Sequence, residues 1–159
     1  MSDELWKFFV VLMVCYGVGA VGALITLPAL PDWYQQLRKP GFAPPAWVFR
    51  PVWSILYTLM AASFFMAWQG RTLDEIPAVT ATFMLQLFLN LCWSAAFFGL
   101  RSPGGGMILA TALLGAVAAM LTALWPVSQQ AALLQAPYFL WASFAALLNF
   151  RFWQLNPDG

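Results

Sequence analysis

Residues 102–150 read SPGGGMILATALLGAVAAMLTALWPVSQQAALLQAPYFLWASFAALLNF, 49 positions without a charge. A hydrocarbon crossing takes about 20 apolar residues, so this run is long enough for two helices. Pro126 and the polar patch Ser128-Gln129-Gln130 mark the join between them. Toward the N-terminus, Phe8–Pro31, Pro51–Gly70 and Ile76–Leu100 are uncharged runs of 24, 20 and 25 residues. Each supplies one more span. The expected fold is an all-α integral membrane bundle of five transmembrane helices, one domain over residues 1–159.

Composition excludes the alternatives. Of 159 residues, 62% are hydrophobic and 8% charged, against about one-quarter charged in a soluble domain. A soluble helical core would lack the polar residues to cover itself. Short alternating segments typical of a transmembrane barrel are absent. The acidic start Met1-Ser2-Asp3-Glu4 and the length of the first run do not fit a cleaved signal peptide. With no basic presequence either, a bacterial membrane is expected. No basic stripe suits nucleic acid, and membrane lipid is the expected surrounding.

Five spans put the termini on opposite sides. Lys7 and Arg71, with Asp3, Glu4, Asp74 and Glu75, fall on the N-terminal side, and Arg38, Lys39, Arg50, Arg101 and Arg151 on the other. In an inner membrane, the positive-inside bias places the Trp33 loop and the C-terminus in the cytoplasm. Cys15 and Cys92 lie within spans and read as small apolar residues, not as a disulfide or zinc pair. The chain has no histidine, which removes the commonest axial ligand of haem iron and the usual general base.

Helix ends follow from proline, glycine and polar punctuation. The expected spans are Leu5–Leu27, Ala46–Trp68, Ala78–Gly99, Met107–Trp125 and Leu133–Trp153, with Ser102–Gly106 a flexible turn and Pro137 near a helix start. Cys15, Gly19 and Ala23, and Thr111, Gly115, Ala119 and Ala123, form small-residue stripes. Packing within the bundle is the default reading for both, ahead of a dimer seam.

The join between the first two spans, WYQQLRKPGFAPPAWVFRPVWSILY at residues 33–57, holds three tryptophans, two tyrosines, two phenylalanines and four prolines. Rigid aromatics at a membrane surface suit capture of a flat apolar ligand. A short helical turn over Pro31–Leu37 is expected to lie across the bundle mouth as a lid. Gln86, Asn90 and Ser94 share one helical face, and a polar stripe at membrane depth points into the bundle. Trp141, Ala145 and Asn149, with Tyr138 nearby, form a second line, and Trp53 and Tyr57 a third. Together they frame a slot for a flat ring. Trp6, Trp68, Trp125 and Trp153 read as interfacial belt. Interhelical hydrogen bonding alone would also account for the amides.

Enzyme signatures are poor: no paired acids in a span, no phosphate loop and no metal-ligand cluster. Arg50 and Arg151 lie where snorkelling is expected, although Arg38, Lys39 and Arg50 could also meet ligand carboxylates.

The chain resembles the TspO/MBR family, the tryptophan-rich sensory proteins related to the translocator protein or peripheral benzodiazepine receptor. The matching residues are Trp33-Tyr34, Leu37, Lys39-Pro40, Pro44-Pro45, Trp47, Phe49, Pro51, Trp53, Leu56-Tyr57, Asn90, Trp93-Ser94, Phe97-Phe98, Pro137-Tyr138, Trp141, Ala145 and Leu148-Asn149. The resemblance implies a five-helix bundle, commonly a homodimer, with a pocket under the first long loop. Its ligands would be porphyrins such as protoporphyrin IX, with haem or benzodiazepine-type molecules beside them, and no fixed cofactor. It carries pocket roles onto Tyr34, Pro44, Phe49, Trp53, Tyr57, Asn90, Trp93, Ser94, Phe97, Trp141 and Ala145. Trp53 and Trp141 match indoles linked in some bacterial members to light-dependent breakdown of protoporphyrin. The sterol pattern of animal members does not carry over, because Phe150 stands where its tyrosine belongs. Three roles follow: a tetrapyrrole receptor or transporter acting in porphyrin handling or stress signalling, a photochemical enzyme, or a structural, partner-binding membrane protein.

Overall fold

The computed structural model describes residues 4–157; Met1–Asp3 of the acidic start lie outside them. Helix α1 spans Leu5–Thr26 and runs into a 3-10 turn at Leu27–Ala29. A single turn, α2, spans Trp33–Gln36. The remaining helices are α3 (Ala46–Trp68), α4 (Pro77–Ser94), α5 (Pro103–Leu124) and α6 (Gln129–Leu155). All except α2 are long and apolar enough to cross a membrane, which makes five spans. Their outer faces carry Met13, Leu24, Ile108 and Leu140, each more than 60% exposed, a surface suited to lipid rather than water.

The five spans close into a ring in the order α1, α3, α6, α5, α4, with α4 returning to α1. In the half nearer the N-terminus the ring is filled solid by side chains such as Met60, Phe64, Phe83, Val117 and Met120. Phe64 and Phe83 pack there with ring centroids 4.3 Å apart, tilted by 33°. The other half holds a smaller aromatic cluster of Tyr34, Phe97, Leu148 and Phe152 beneath the long loop.

Three expectations of the sequence need correction. The stretch Ser102–Gly106 is not a flexible turn. Ser102 caps α5 by accepting from Gly105 N at 3.1 Å, and Pro103 occupies the first helical position, where its missing N–H costs nothing. The glycines serve contact. A Cβ on Gly106 would stand 2.5 Å from the Phe97 ring. Helix α6 likewise starts early because Ser128 accepts from Ala131 N at 3.2 Å, so Pro137 sits in its interior, more than two turns in. The stripe on α5 packs within the bundle only at Ala123, which is half-buried against the core. Thr111, Gly115 and Ala119 are exposed on the outer face, and nothing approaches Gly115 within 4 Å.

Candidate functional site: a cavity beneath the aromatic loop

Helix α4 changes pitch at its end. Ala95–Gly99 form a π turn, closed by Leu100 N donating to Ala95 O at 2.8 Å. Such turns re-aim side chains and recur at functional sites. Here Phe97 and Phe98 both face the interior, and Arg101 ends the element at φ 54°, the left-handed stop of a helix terminus. Helix α1 comes close on the other side because it carries glycine. A Cβ on Gly19 would lie 2.6 Å from the Tyr57 ring, and one on Gly22 would lie 3.3 Å from Ser94 Oγ.

Between these walls is a cavity of about 560 Å³, within the range of roughly 300–1,000 Å³ typical of small-molecule sites. Tyr34, Phe49, Trp53, Tyr57, Asn90, Trp93, Ser94, Phe97, Trp141 and Ala145 all line it. Two expected residues do not. Tyr138 is fully buried one layer below, and Pro44 is half-buried in the segment before α3. Extended backbone at Pro45, φ −57° and ψ 146°, starts the helix one residue later, so Ala46 takes the wall position.

The floor is polar and connected. Tyr57 Oη donates to Asn90 Oδ1 at 3.5 Å, Asn90 Nδ2 donates to Tyr138 Oη at 3.3 Å, and Tyr138 Oη donates to Gln86 Oε1 at 2.9 Å. Trp93 Nε1 donates to Asn149 Oδ1 at 3.0 Å, and Asn149 Nδ2 donates to Ala145 O at 2.7 Å. These bonds fix the amides and hydroxyls in one orientation. Gln86 therefore belongs to the support, while Asn90 and Ser94 face the space. Trp141 Nε1 is buried without a partner.

The aromatic walls are rigid. Trp53 packs against Tyr57, Tyr138 and Trp93 at 5.5, 6.1 and 6.5 Å. Trp141 packs edge-on to Phe49 at 5.8 Å and against Phe144 at 5.5 Å. The roof is α2 and its loop. Trp33 meets Phe97 at 5.3 Å, and Tyr34 lies 5.9 Å from both Phe98 and Phe152. Burial pushes the Tyr34 phenol above its ordinary pKa of 10.0, so it stays neutral at physiological pH. Asn156 ties the loop down, its Oδ1 accepting from Arg38 N and its Nδ2 donating to Arg38 O, both at 3.0 Å.

Sequence reasoning missed Asn156 and the contribution of α1 and its 3-10 extension, where Gly22, Ala23, Thr26 and Leu27 also line the cavity. The small-residue stripe on α1 was the available signal, but smallness reads equally as packing. Tyr16 and Ser54 line both the cavity and an outward groove with Ile55, Thr58 and Leu59. Between α1 and α3 the wall is shared by both, and Tyr16 Oη donates across it to Ser54 O at 3.0 Å. Of the four tryptophans expected in the interfacial belt, Trp6, Trp125 and Trp153 are 55, 53 and 41% exposed near helix ends, whereas Trp68 is half-buried and packs against the core beside Phe64 at 6.0 Å.

The sequence profile of the TspO/MBR family matches residues 9–154. "Tryptophan-rich protein TspO" of Chlorobaculum tepidum is 36% identical over 99% of this chain and 100% of its own length. "Protein CrtK" of Rhodobacter capsulatus is 36% identical, covering 97% of this chain and 95% of its own. The "Translocator protein" of Bos taurus is 37% identical over 87% of this chain and 83% of its own.

Proposed function

Given that the chain belongs to the TspO/MBR family of integral membrane proteins, we propose that it is a receptor or transporter-like protein for tetrapyrroles, taking protoporphyrin IX or a similar flat ring into the cavity. The observation that carries this reading is the wall itself: Trp53, Trp93, Trp141 and Phe97 around about 560 Å³, over a fixed amide and hydroxyl floor. Flat aromatic faces stack on a ring system, and the few polar groups orient it. With no histidine to ligate iron, a metal-free porphyrin suits the site better than a fixed haem. Titration with protoporphyrin IX in nanodiscs, in the dark, tests it. Saturable quenching of tryptophan fluorescence at one ligand per chain is expected, and quenching that rises without saturation would mean mere partition into the apolar surface.

A second reading has one observation behind it. Both Trp53 and Trp141 border the cavity, so an indole could give an electron to a photo-excited porphyrin, with dioxygen as the oxidant of its breakdown. Illumination in air should then yield products whose spectra differ from free-solution bleaching.

Two further expectations belong to the same reading. The exposed Thr111, Gly115 and Ala119 face of α5 is the seam of a homodimer. The membrane is bacterial, and the end bearing Arg38, Lys39, Arg50, Arg101 and Arg151 is cytoplasmic if that membrane is the inner one.

A further inference from the structure

We propose that Arg50 is the anion-recognising residue of the cavity, which selects flat rings carrying a carboxylate at the edge. The inference rests on the tetrapyrrole reading above and adds the charge of the ligand to it.

Arg38, Lys39 and Arg50 all lie at this end of the chain, and the structure separates them. Lys39 Nζ stands 4.6 Å over the Tyr34 ring and donates to Gln35 Oε1 at 3.3 Å, so its charge is spent outside the roof. Arg38 is held through its main chain by Asn156 and does not border the cavity. Among the described residues Arg50 is the one charged residue on the wall.

No described acid compensates its charge. Among the described residues the single salt bridge joins Lys7 to Glu4, at the opposite end of the bundle. Asp32, the acid of the long loop, pairs with no cation. Arg50 stands four residues beyond Ala46, about 6 Å below the start of α3 at 1.5 Å per residue. Arg50 is exposed at the edge of the cavity, where its guanidinium is open to water or to an anion. The backbone adds the same sign: α3 has no acidic residue in its first turn and no side-chain cap, which leaves the positive end of its dipole uncovered. A planar fork of N–H donors matches a carboxylate at two points. A porphyrin bearing propionates could then keep its ring between the indoles and its acid edge at Arg50.

Snorkelling toward lipid headgroups is the competing use of this side chain. Nanodiscs of purely zwitterionic lipid remove anionic headgroups as competitors. In these, protoporphyrin IX and its dimethyl ester are titrated in the dark against wild type, Arg50→Gln and Arg50→Lys. The diacid should bind wild type roughly five- to tenfold more tightly than the ester, a charge-assisted contact discounted for solvent exposure. Arg50→Gln should bring the diacid to the midpoint of the ester and leave the ester unmoved, while Arg50→Lys keeps part of the preference. A preference that survives Arg50→Gln would make Arg50 a lipid anchor and overturn the proposal. So would equal weakening of both ligands, which marks general damage to the wall, or equal midpoints in wild type. Absence of saturable binding by either porphyrin would instead defeat the tetrapyrrole reading itself.

Discussion

Gly106 and Gly115 look alike on α5 but differ in surroundings. A Cβ on Gly106 would meet Phe97 at 2.5 Å and Asn149 Oδ1 at 3.0 Å, whereas Gly115 has open space. Gly106→Ala is expected to destabilise the fold by about 1–3 kcal/mol through overpacking, seen as a lower Tm in detergent. In the monomer Gly115→Ala should hold or slightly raise Tm, since no neighbour opposes the methyl and alanine favours the helix by up to about 1 kcal/mol. Composition could not separate these glycines, because what distinguishes them is a neighbour on another helix. Lys7 poses the same problem. It read as a charge at a span's edge, but it is buried, donating to Glu4 Oε1 at 2.6 Å and to the carbonyls of Trp68 and Arg71 at 3.3 and 3.2 Å. It thereby caps the end of α3 from α1. The Lys7 ammonium, followed by Gly70 N–H, holds the Glu4 carboxyl below its ordinary value of 4.5. The stability this adds is complete above that ordinary value and is lost as pH falls through the lowered folded one. Tm should therefore drop below pH 4.5, and the drop should be smaller in Glu4→Gln.

At the scale of elements, hydropathy located every span, because 20-odd uncharged residues admit little else. Helix α3 has the expected limits, Ala46–Trp68. The starts of α5 and α6 were misplaced because glycine-rich and glutamine-rich segments look like loops until a serine cap is seen to organise them. The lid was legible as Pro31–Leu37, of which Trp33–Gln36 is helical. Its anchor was not, since Asn156 sits far along the chain among residues with no pattern. Asn156→Ala removes both bonds to Arg38. Release of bound porphyrin in stopped flow should speed up several-fold, on the order of 1 kcal/mol for a pair of partly exposed hydrogen bonds. An unchanged release rate would mean that the loop is held by aromatic packing alone.

Over the whole molecule, the ring order α1, α3, α6, α5, α4 divides the bundle into a solid half and a hollow one. The residues of the hollow half were readable in the sequence because polar and aromatic side chains repeated on helical faces. What the sequence could not convey was the part of the wall supplied by small α1 residues; for Gln86 it offered both pocket and interhelical bonding, and the bond to Tyr138 shows the second. The seam proposed on the outward stripe of α5 predicts that Ala119→Leu lowers the assembled fraction on size exclusion in mild detergent while leaving ligand affinity in place. In the tetrapyrrole reading a flat ring is held between the indoles of Trp53 and Trp141. The most direct test is the midpoint of protoporphyrin IX binding in the dark for Trp53→Phe/Trp141→Phe, set beside Trp6→Phe/Trp125→Phe, which removes as many fluorophores from the outer surface. A midpoint weakened about tenfold or more in the first pair and unchanged in the second is expected, from the loss of two stacking and orienting indoles. Equal midpoints in the two pairs would contradict a site in this cavity.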